Sequence, residues 1–464
     1  MKSKINKIQF VCSECGQIYG RWQGQCTDCK SWNTIHEETT RGIKTNPAAK
    51  NNRQNWAGDG TKLKKLSEVK KQEKQVKIDT GFKEFNRVLG GGIQPGSILL
   101  LGGDPGIGKS TLLLQATANI GAENTTLYVT GEESLEQVSD RCERLNLNSD
   151  NIFALAESQL EEIIKNLEEL KPTFAIIDSI QSIYSENLPS ASGTVSQIKE
   201  CATVLTRIAK QMGISIILIG HVTKDGDLAG PRVLEHIVDA SLFFEGNEDS
   251  PYRFIRAFKN RFGPCDEVGA FEMSEQGLLS VDNPSAMFLS MDRSTEIGSA
   301  VFVAMEGKRP MLMEIQTLVQ ETNFGNPRRV AVGVDYNRLT MLLAVLQNRS
   351  GLATYNKDVY LNAVGGAKIR ETSADLSMCL SIISSIGQIY LPSSLACFGE
   401  VGLTGEIRPV IRAEERIKEA QKMGFKNIII PLRNKPKNEI QGIKIHPVKN
   451  LKEAYALLNQ MSGK

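Results

Sequence analysis

Nowhere in its 464 residues does the chain reach the roughly 18 consecutive apolar residues of a membrane span, and its opening segment MKSKINKIQF lacks the apolar core of a secretory signal. Both absences lead to the expectation of a cytoplasmic protein with no membrane partner. A net charge of one sign is missing too, since 55 Lys+Arg against 53 Asp+Glu leave +2. What is present excludes a wholly disordered or fibrous chain: 41% of residues are apolar and 23% charged, close to globular averages. At roughly 150 residues per domain the length predicts about three folding units. The charge is unevenly spread, because residues 1–80 carry 16 Lys+Arg against 8 Asp+Glu while the remainder, 39 against 45, is at −6. A basic N-terminal arm suits either a polyanion partner or a solvated Lys-rich linker. No disulfides are expected. Of nine cysteines four are clustered, and Cys142, Cys201, Cys265, Cys379 and Cys397 sit among apolar neighbours, where free thiols serve as small core residues.

The cluster reads Cys12-Ser-Glu-Cys15, ten residues, then Cys26-Thr-Asp-Cys29. Each CxxC offers two thiolates to one ion, and two pairs complete a closed tetrahedral Zn²⁺ site with no position left for catalysis. A segment this short cannot build an adequate apolar core, so the metal supplies most of its folding energy. The doubled pairs argue against a redox CxxC. Such ribbons bind nucleic acid or protein, and spacing does not choose between them. Trp32 is placed to pack on the knuckle, whereas Trp56 is a lone aromatic in the Lys-, Asn- and Thr-rich stretch 36–75, which reads as a tether.

The strongest signal is GSILLLGGDPGIGKSTLLLQ. Residues 97–101 suit a buried parallel strand and 111–118 a helix. Between them Gly103-Asp104-Pro105-Gly106-Ile107-Gly108-Lys109-Ser110 matches GxxxxGK[ST], with Thr111 next. Glycines let backbone N–H groups wrap the phosphates of ATP, and the helix N-terminus adds its partial positive charge. Lys109 would reach the β and γ phosphates, and the Ser110 hydroxyl would hold Mg²⁺.

A second strand, 125–130, ends in Gly131-Glu132-Glu133, and a third, 174–177, ends at Asp178, the expected Walker B carboxylate that holds Mg²⁺ through water. Ser179, not Glu, follows Asp178, so the carboxylate that polarises the attacking water must come from elsewhere. Glu132 is the first candidate and Glu133 the second, with solvated loop acids as the alternative. A fourth strand, 214–219, ends in Gly220-His221; His221 either senses the γ-phosphate or satisfies a local hydrogen bond. Four strand tips delivering polar groups to one edge obey the ligand-binding rule of open α/β sheets.

An acid after the second strand with none after the Walker B Asp resembles the RecA-type class of P-loop ATPases. In that class the loops corresponding to 185–197 and 223–232 line a channel and touch DNA, which implies Lys224 and Arg232 as phosphate contacts; plain surface loops are the competing reading. The alternating stretch 252–258 reads as an edge strand. Lys259-Asn260-Arg261-Phe262-Gly263 follows it, and its two cations beside a Gly turn suit a finger entering a phosphate site, a neighbouring subunit's included. Taken together, CxxC…CxxC, GDPGIGKS and KNRFG in this order resemble the bacterial RadA (Sms) family of recombination and repair ATPases, over essentially the whole chain.

From about residue 284 the pattern changes to short strands and helices. VYLNAVGGAKIRETSADLSMCLSIISS, followed by FGEVGLTGEIRP, resembles the proteolytic domain of Lon, which uses a Ser–Lys dyad. Ser373 lies where that pattern has its nucleophile. The lysine position falls on Glu414, Asp375 replaces a small Gly, and Lys418 is the nearest substitute base, so proteolysis is not expected and the domain reads as a scaffold. Its Arg328, Arg329, Lys368 and Arg370 are further candidates for DNA.

The expected fold class is thus α/β: a four-cysteine zinc ribbon (1–35), a basic flexible linker (36–75), a RecA-like P-loop ATPase core (76–280) and a Lon-protease-like α+β scaffold domain (285–464). Motif chemistry alone supports only an ATPase using ATP, Mg²⁺ and Zn²⁺. The RadA resemblance implies a homo-hexameric ring on single-stranded and branched DNA. It also implies a DNA-dependent ATPase and helicase driving branch migration in recombination and repair, and a recombinase or replication protein as partner of the ribbon. Competing readings are a RecA-like signalling or assembly ATPase without DNA translocation, an ATP-dependent serine protease, and a strand-exchange filament, which differs from a ring by not closing.

Overall fold

The computed structural model describes residues 7–12, 17–28, 30–40, 76–221, 231–246, 250–290, 296–322 and 325–462. They fall into two compact units, Met1–Val281 and Asp282–Lys464.

The N-terminal ribbon is a three-stranded antiparallel sheet of β1 (Lys7–Cys12), β2 (Ile18–Tyr19) and β3 (Ile35–Thr40) in the order β2-β1-β3. β3 thus continues into the stretch read as tether. Cys12, Cys26 and Ile35 form one small buried cluster with Phe10 and Tyr19 against it. Trp32 corrects a sequence expectation: it is 68% exposed and does not pack on this cluster. A core this small has no room for an indole.

Beyond the ribbon in the first unit, α1 (Lys83–Val88) precedes a nine-stranded sheet. Its strands are β4 (Ile98–Gly103), β5 (Thr126–Thr130), β6 (Ile152–Ala156), β7 (Phe174–Asp178), β8 (Ser215–His221), β9 (Ala240–Gly246), β10 (Tyr252–Asn260), β11 (Val268–Ser274) and β12 (Gly277–Ser280). The order is β12-β11-β10-β9-β4-β8-β7-β5-β6, parallel from β9 to β6 and antiparallel beyond. Helices α2 (Lys109–Gly121), α3 (Leu135–Arg144), α4 (Leu160–Leu170), α5 (Val195–Met212) and the short α6 (Pro231–Glu235) complete the layers. Every residue of β4 and β7 is buried because apolar side chains cover both faces of the sheet, one cluster around Phe85, Leu113 and Phe244 and the other around Ile163, Leu205 and Ile216.

β10 is not an edge strand, because it pairs with β9 on one side and β11 on the other. Alternation of apolar and polar residues reports one partly solvated face, and that is equally compatible with an interior position. Cys265 also departs from expectation: it lies exposed in the turn between β10 and β11, while Cys142, Cys201, Cys379 and Cys397 are buried. The 185–197 loop is organised about Gln197, which is 1% exposed, accepts from Ser185 N and donates to the carbonyls of Ser185, Leu188 and Ser190. Lys224 and the side chain of Arg232 lie outside the described residues.

The second unit is a seven-stranded mixed sheet of β13 (Ser299–Glu306), β14 (Arg309–Glu321), β15 (Arg329–Val332), β16 (Lys357–Ala363), β17 (Leu395–Cys397), β20 (Asn427–Pro431) and β21 (Lys444–Val448), in the order β15-β16-β14-β13-β17-β20-β21. A small hairpin, β18 (Glu400–Val401) with β19 (Ile407–Arg408), stands apart from it. Helices α7 (Tyr336–Ser350), α8 (Asp375–Gly387), α9 (Ala413–Lys422) and α10 (Leu451–Met461) complete the unit. Among the described residues no helix is long and apolar enough to cross a membrane.

Candidate active site

Parallel register brings four strand tips to one edge of the nine-stranded sheet. Gly103 at the end of β4 pairs with His221 of β8, and Thr130 of β5 pairs with Asp178 of β7. One strand, β8, separates the phosphate-loop strand from the Asp178 strand. The 103–110 loop crosses from β4 into α2. Two glycines there are obligatory on steric grounds. A Cβ at Gly103 would stand 2.6 Å from the Phe244 carbonyl oxygen, and Gly108, at φ +109° as the residue before α2, would meet the Met273 side chain at 2.6 Å.

Lys109 is 4% exposed, and its Nζ donates to the carbonyls of Gly103 and Asp104, both at 2.8 Å. Burial lowers its pKa; Asp178, Asp104 and Glu132 oppose that shift. The loop fits a nucleotide's phosphates by its donor set: a buried ammonium and the amides of a left-handed, glycine-rich turn at a helix N-terminus. Asp178, buried at the tip of β7, accepts from the Tyr128 hydroxyl at 2.6 Å through Oδ2. Burial first, then this same contact, pushes the Tyr128 phenol well above its ordinary pKa.

The two candidate carboxylates separate cleanly. Glu133 is held in a two-point ion pair by Arg141 of α3, at 2.5 and 2.8 Å. Glu132 instead accepts from Ser179 Oγ at 2.5 Å, and the same oxygen lies 3.8 Å from His221 Nε2. His221 Nδ1 is buried without a hydrogen-bond partner. Glu132, Ser179, Asp178 and His221 are thus brought together at the edge that Lys109 occupies, whereas Glu133 is tied to Arg141. Sequence reading misses Tyr128 and Ser179 as partners of the two acids. The available signal is a single hydroxyl-bearing aromatic inside the fully buried strand TLYVT.

Lys259 and Arg261 lie elsewhere. Lys259 Nζ donates to the carbonyls of Glu235 and Val238, the latter at 2.8 Å, and Arg261 Nη1 donates to Asp239 Oδ1 at 3.0 Å. Asp239 Oδ2 accepts in turn from the amide of Ile98. Ile98 opens β4 and Gly103 closes it, so these cations sit at the opposite end of that strand from the phosphate loop. Strand steps of about 3.3 Å each separate the two ends, which excludes both cations from the phosphate site of their own chain. Burial, then the nearby Arg261 charge, lowers the Lys259 pKa.

In the ribbon, Cys15 and Cys29 lie outside the described residues. The other two fit a thiolate metal site. Cys12 and Cys26 are both 0% exposed, and each starts its knuckle with the same amide bond to the fifth residue on, Cys12 N to Gln17 O at 3.0 Å and Cys26 N to Ser31 O at 2.9 Å. The Tyr19 hydroxyl hydrogen-bonds Cys26 Sγ at 3.0 Å.

In the second unit Ser373 is 3% exposed with its Oγ unpartnered, in the turn Thr372–Ala374 that leads into α8. Glu414 and Lys418 are both exposed on α9. The charged residue that α9 does bury is Arg416, 1% exposed, which pairs with Glu371 at 2.7 Å and lies over the Phe398 ring at 5.6 Å. Asp375 is paired with Arg338 and accepts from Val401 N at 3.0 Å. The guanidiniums that pair with Glu371 and Asp375, on either side of Ser373 in the chain, stay charged and cannot take a proton from a serine. Ser373→Ala is expected to leave ATP turnover unchanged, with no peptide cleavage in either protein. Arg416→Met, by contrast, leaves Glu371 with the Met305 amide but without its cation and is expected to destabilise the unit by about 3 kcal/mol, read as a lower urea midpoint.

A family model described as "AAA domain" matches residues 67–227, "Rubredoxin metal binding domain" matches 10–37, and "Subunit ChlI of Mg-chelatase" matches 339–434. Curated relatives named "DNA repair protein RadA" include those of Haemophilus influenzae, 50% identical over 99% of this chain and 100% of the relative, and Escherichia coli, 49% identical over the same shares. That of Bacillus subtilis is 47% identical over 97% of this chain and 98% of the relative. Among solved structures, the RadB recombinase is 23% identical with a TM-score of 0.36, over 44% of this chain and 100% of that one. Another, an ATPase domain, is 14% identical with a TM-score of 0.40, over 47% and 95%. The fold class read from the sequence is borne out: a metal-binding ribbon, a RecA-like P-loop core and a Lon-like C-terminal unit.

Proposed function

The chain belongs to the RadA family of DNA repair proteins, and from that premise we propose that it is an ATP-driven motor that binds single-stranded and branched DNA and drives branch migration as a closed ring of six copies. The observation that carries the reading is the meeting of Lys109, Asp178, Glu132 and His221 at one sheet edge while Lys259 and Arg261 stand at the far end of β4.

In this reading the 103–110 loop wraps the phosphates of ATP, Lys109 leaves its two loop carbonyls for the β and γ phosphates, and Ser110 and Asp178 hold Mg²⁺, Asp178 through water. Mg²⁺ neutralises charge on the phosphates when bound. Tyr128 fixes the rotamer of Asp178, and Ser179 fixes that of Glu132, which orients the attacking water and accepts its proton. His221, beside the same Glu132 oxygen, is suited to register whether the γ-phosphate is present. Since Lys259 and Arg261 cannot serve their own site, they act on a neighbour's, which makes turnover depend on assembly and DNA. Cys12, Cys15, Cys26 and Cys29 hold a structural Zn²⁺. The Lon-like unit is a scaffold without protease activity, and the cytoplasm is the place of action.

The test is a branched-DNA assay with purified protein. Strand displacement that requires ATP and fails with a non-hydrolysable analogue is expected. DNA-independent ATP turnover with no displacement would favour the signalling reading.

A further inference from the structure

The ribbon carries two indoles where a small domain is expected to hide them. Trp22 is 57% and Trp32 68% exposed, and they are the large apolar side chains exposed among the ribbon's described residues. Both rings reach the same point at Gly24: a Cβ there would lie 3.8 Å from both Trp22 Cη2 and Trp32 Cζ3. The backbone beneath them is fixed. Gln25 and Trp32 form a β-bridge, Asn33 N donates to Gly24 O at 2.8 Å, and Gln25 Nε2 donates to Lys30 O at 2.8 Å. A ligand therefore meets rings on a rigid base and little backbone order has to be acquired on binding.

Area and charge choose the occupant. Two indoles offer at most about 500 Å², short of the roughly 800 Å² per partner of a stable protein interface. Their exposed neighbours Arg21, Gln25, Lys30 and Asn33 are polar and do not extend the apolar patch. Two adjacent indole faces are, however, the right size for one or two unstacked bases, and stacking on aromatic rings beside cations is how single strands are held without sequence preference. Arg21 and Lys30 are basic, and residues 41–75, which follow the ribbon, carry ten Lys+Arg against three Asp+Glu, a composition that attracts a phosphate backbone over several nucleotides.

We propose that Trp22 and Trp32 form a base-stacking platform for single-stranded DNA, so that the ribbon is a second DNA-binding site apart from the ATPase core. This rests on the DNA-motor reading, and the test separates the two.

The chain has three tryptophans, Trp22, Trp32 and Trp56, so in metal-loaded, full-length protein carrying Trp56→Phe the indole fluorescence reports the pair directly. Titration with oligo(dT) is expected to quench it. Trp22→Ala with Trp32→Ala should weaken oligo(dT) binding, read by anisotropy of a labelled strand, by about 25-fold or more, from about fivefold per ring. Trp22→Phe with Trp32→Phe should retain most of the affinity, since a phenyl face still stacks. Zinc content measured on every variant separates loss of the platform from loss of the ribbon, and where the alanine pair has lost zinc, Trp22→Leu with Trp32→Leu, which keeps apolar bulk but offers no aromatic face, takes its place with the same expected loss of affinity. Oligo(dT) binding with no indole quenching and wild-type affinity in the alanine pair would overturn the platform while leaving the motor intact, and would return the pair to a protein partner. Absence of any oligo(dT) binding would overturn both.

Discussion

Replacing Lys109 with alanine is expected to reduce ATP turnover to the background of the assay and to weaken ATP binding by about 100-fold or more, the loss of a charge-assisted contact to two phosphates in a low-dielectric loop. The size of the effect follows from where the ammonium sits. It is 4% exposed, bound to the carbonyls of Gly103 and Asp104, and its pKa is lowered by burial. A desolvated cation gains more from a phosphate than a hydrated one, because less water has to be removed when the two meet. Alanine is a strong helix former and leaves the first turn of α2 intact, so the protein should keep its thermal midpoint. Phosphate release and fluorescent-ATP titration measure the two losses. Undiminished hydrolysis by the purified variant would remove the loop from the mechanism.

The second large effect separates two adjacent acids. Glu132→Gln keeps an oxygen to accept from Ser179 and a side chain of the same length, but removes the base. Turnover should fall by about 100-fold or more while ATP affinity stays within about threefold. Glu133→Gln weakens the ion pair with Arg141 at the base of α3. That pair is partly solvated, with the Arg141 and Glu133 side chains 18% and 34% exposed, so the cost should be about 1 kcal/mol of stability or less with turnover retained. Turnover lost in the Glu133 variant and kept in the Glu132 variant would reverse the assignment. Ranking the pair takes coordinates, since both residues follow the same strand tip and the sequence orders them only by adjacency.

How much of the site is legible varies with the distance over which each contact is made. The 103–110 loop, the strands ending at Thr130, Asp178 and His221, and the doubled CxxC are local patterns, and each is readable from a short stretch of chain. Edge position is not: the alternation in 252–258 reports solvent on one face, and the β11–β12 hairpin that covers the other side of β10 is specified further along the chain. Trp32 reads as a core residue because large aromatics usually are buried, and only the size of the Cys12–Cys26–Ile35 cluster shows that the ribbon has no core to receive it. The same limit applies to α9, where counting residues places a carboxylate at the Lon lysine position but helix phase turns Glu414 to solvent and Arg416 inward.

By itself, the amino-acid order determined the chemistry this protein carries: a phosphate cradle, an acid at each of two strand ends, four thiols at metal-ligand spacing, and a second unit with Glu414 where the Lon pattern has its lysine. Tertiary structure decided which groups act together. It joined Glu132 to Ser179, tied Glu133 to Arg141, and put Lys259 and Arg261 at the wrong end of β4 for their own site. Residue identity is written in the chain one position at a time, whereas partnership depends on strand register and helix phase, which are fixed only when distant segments pack.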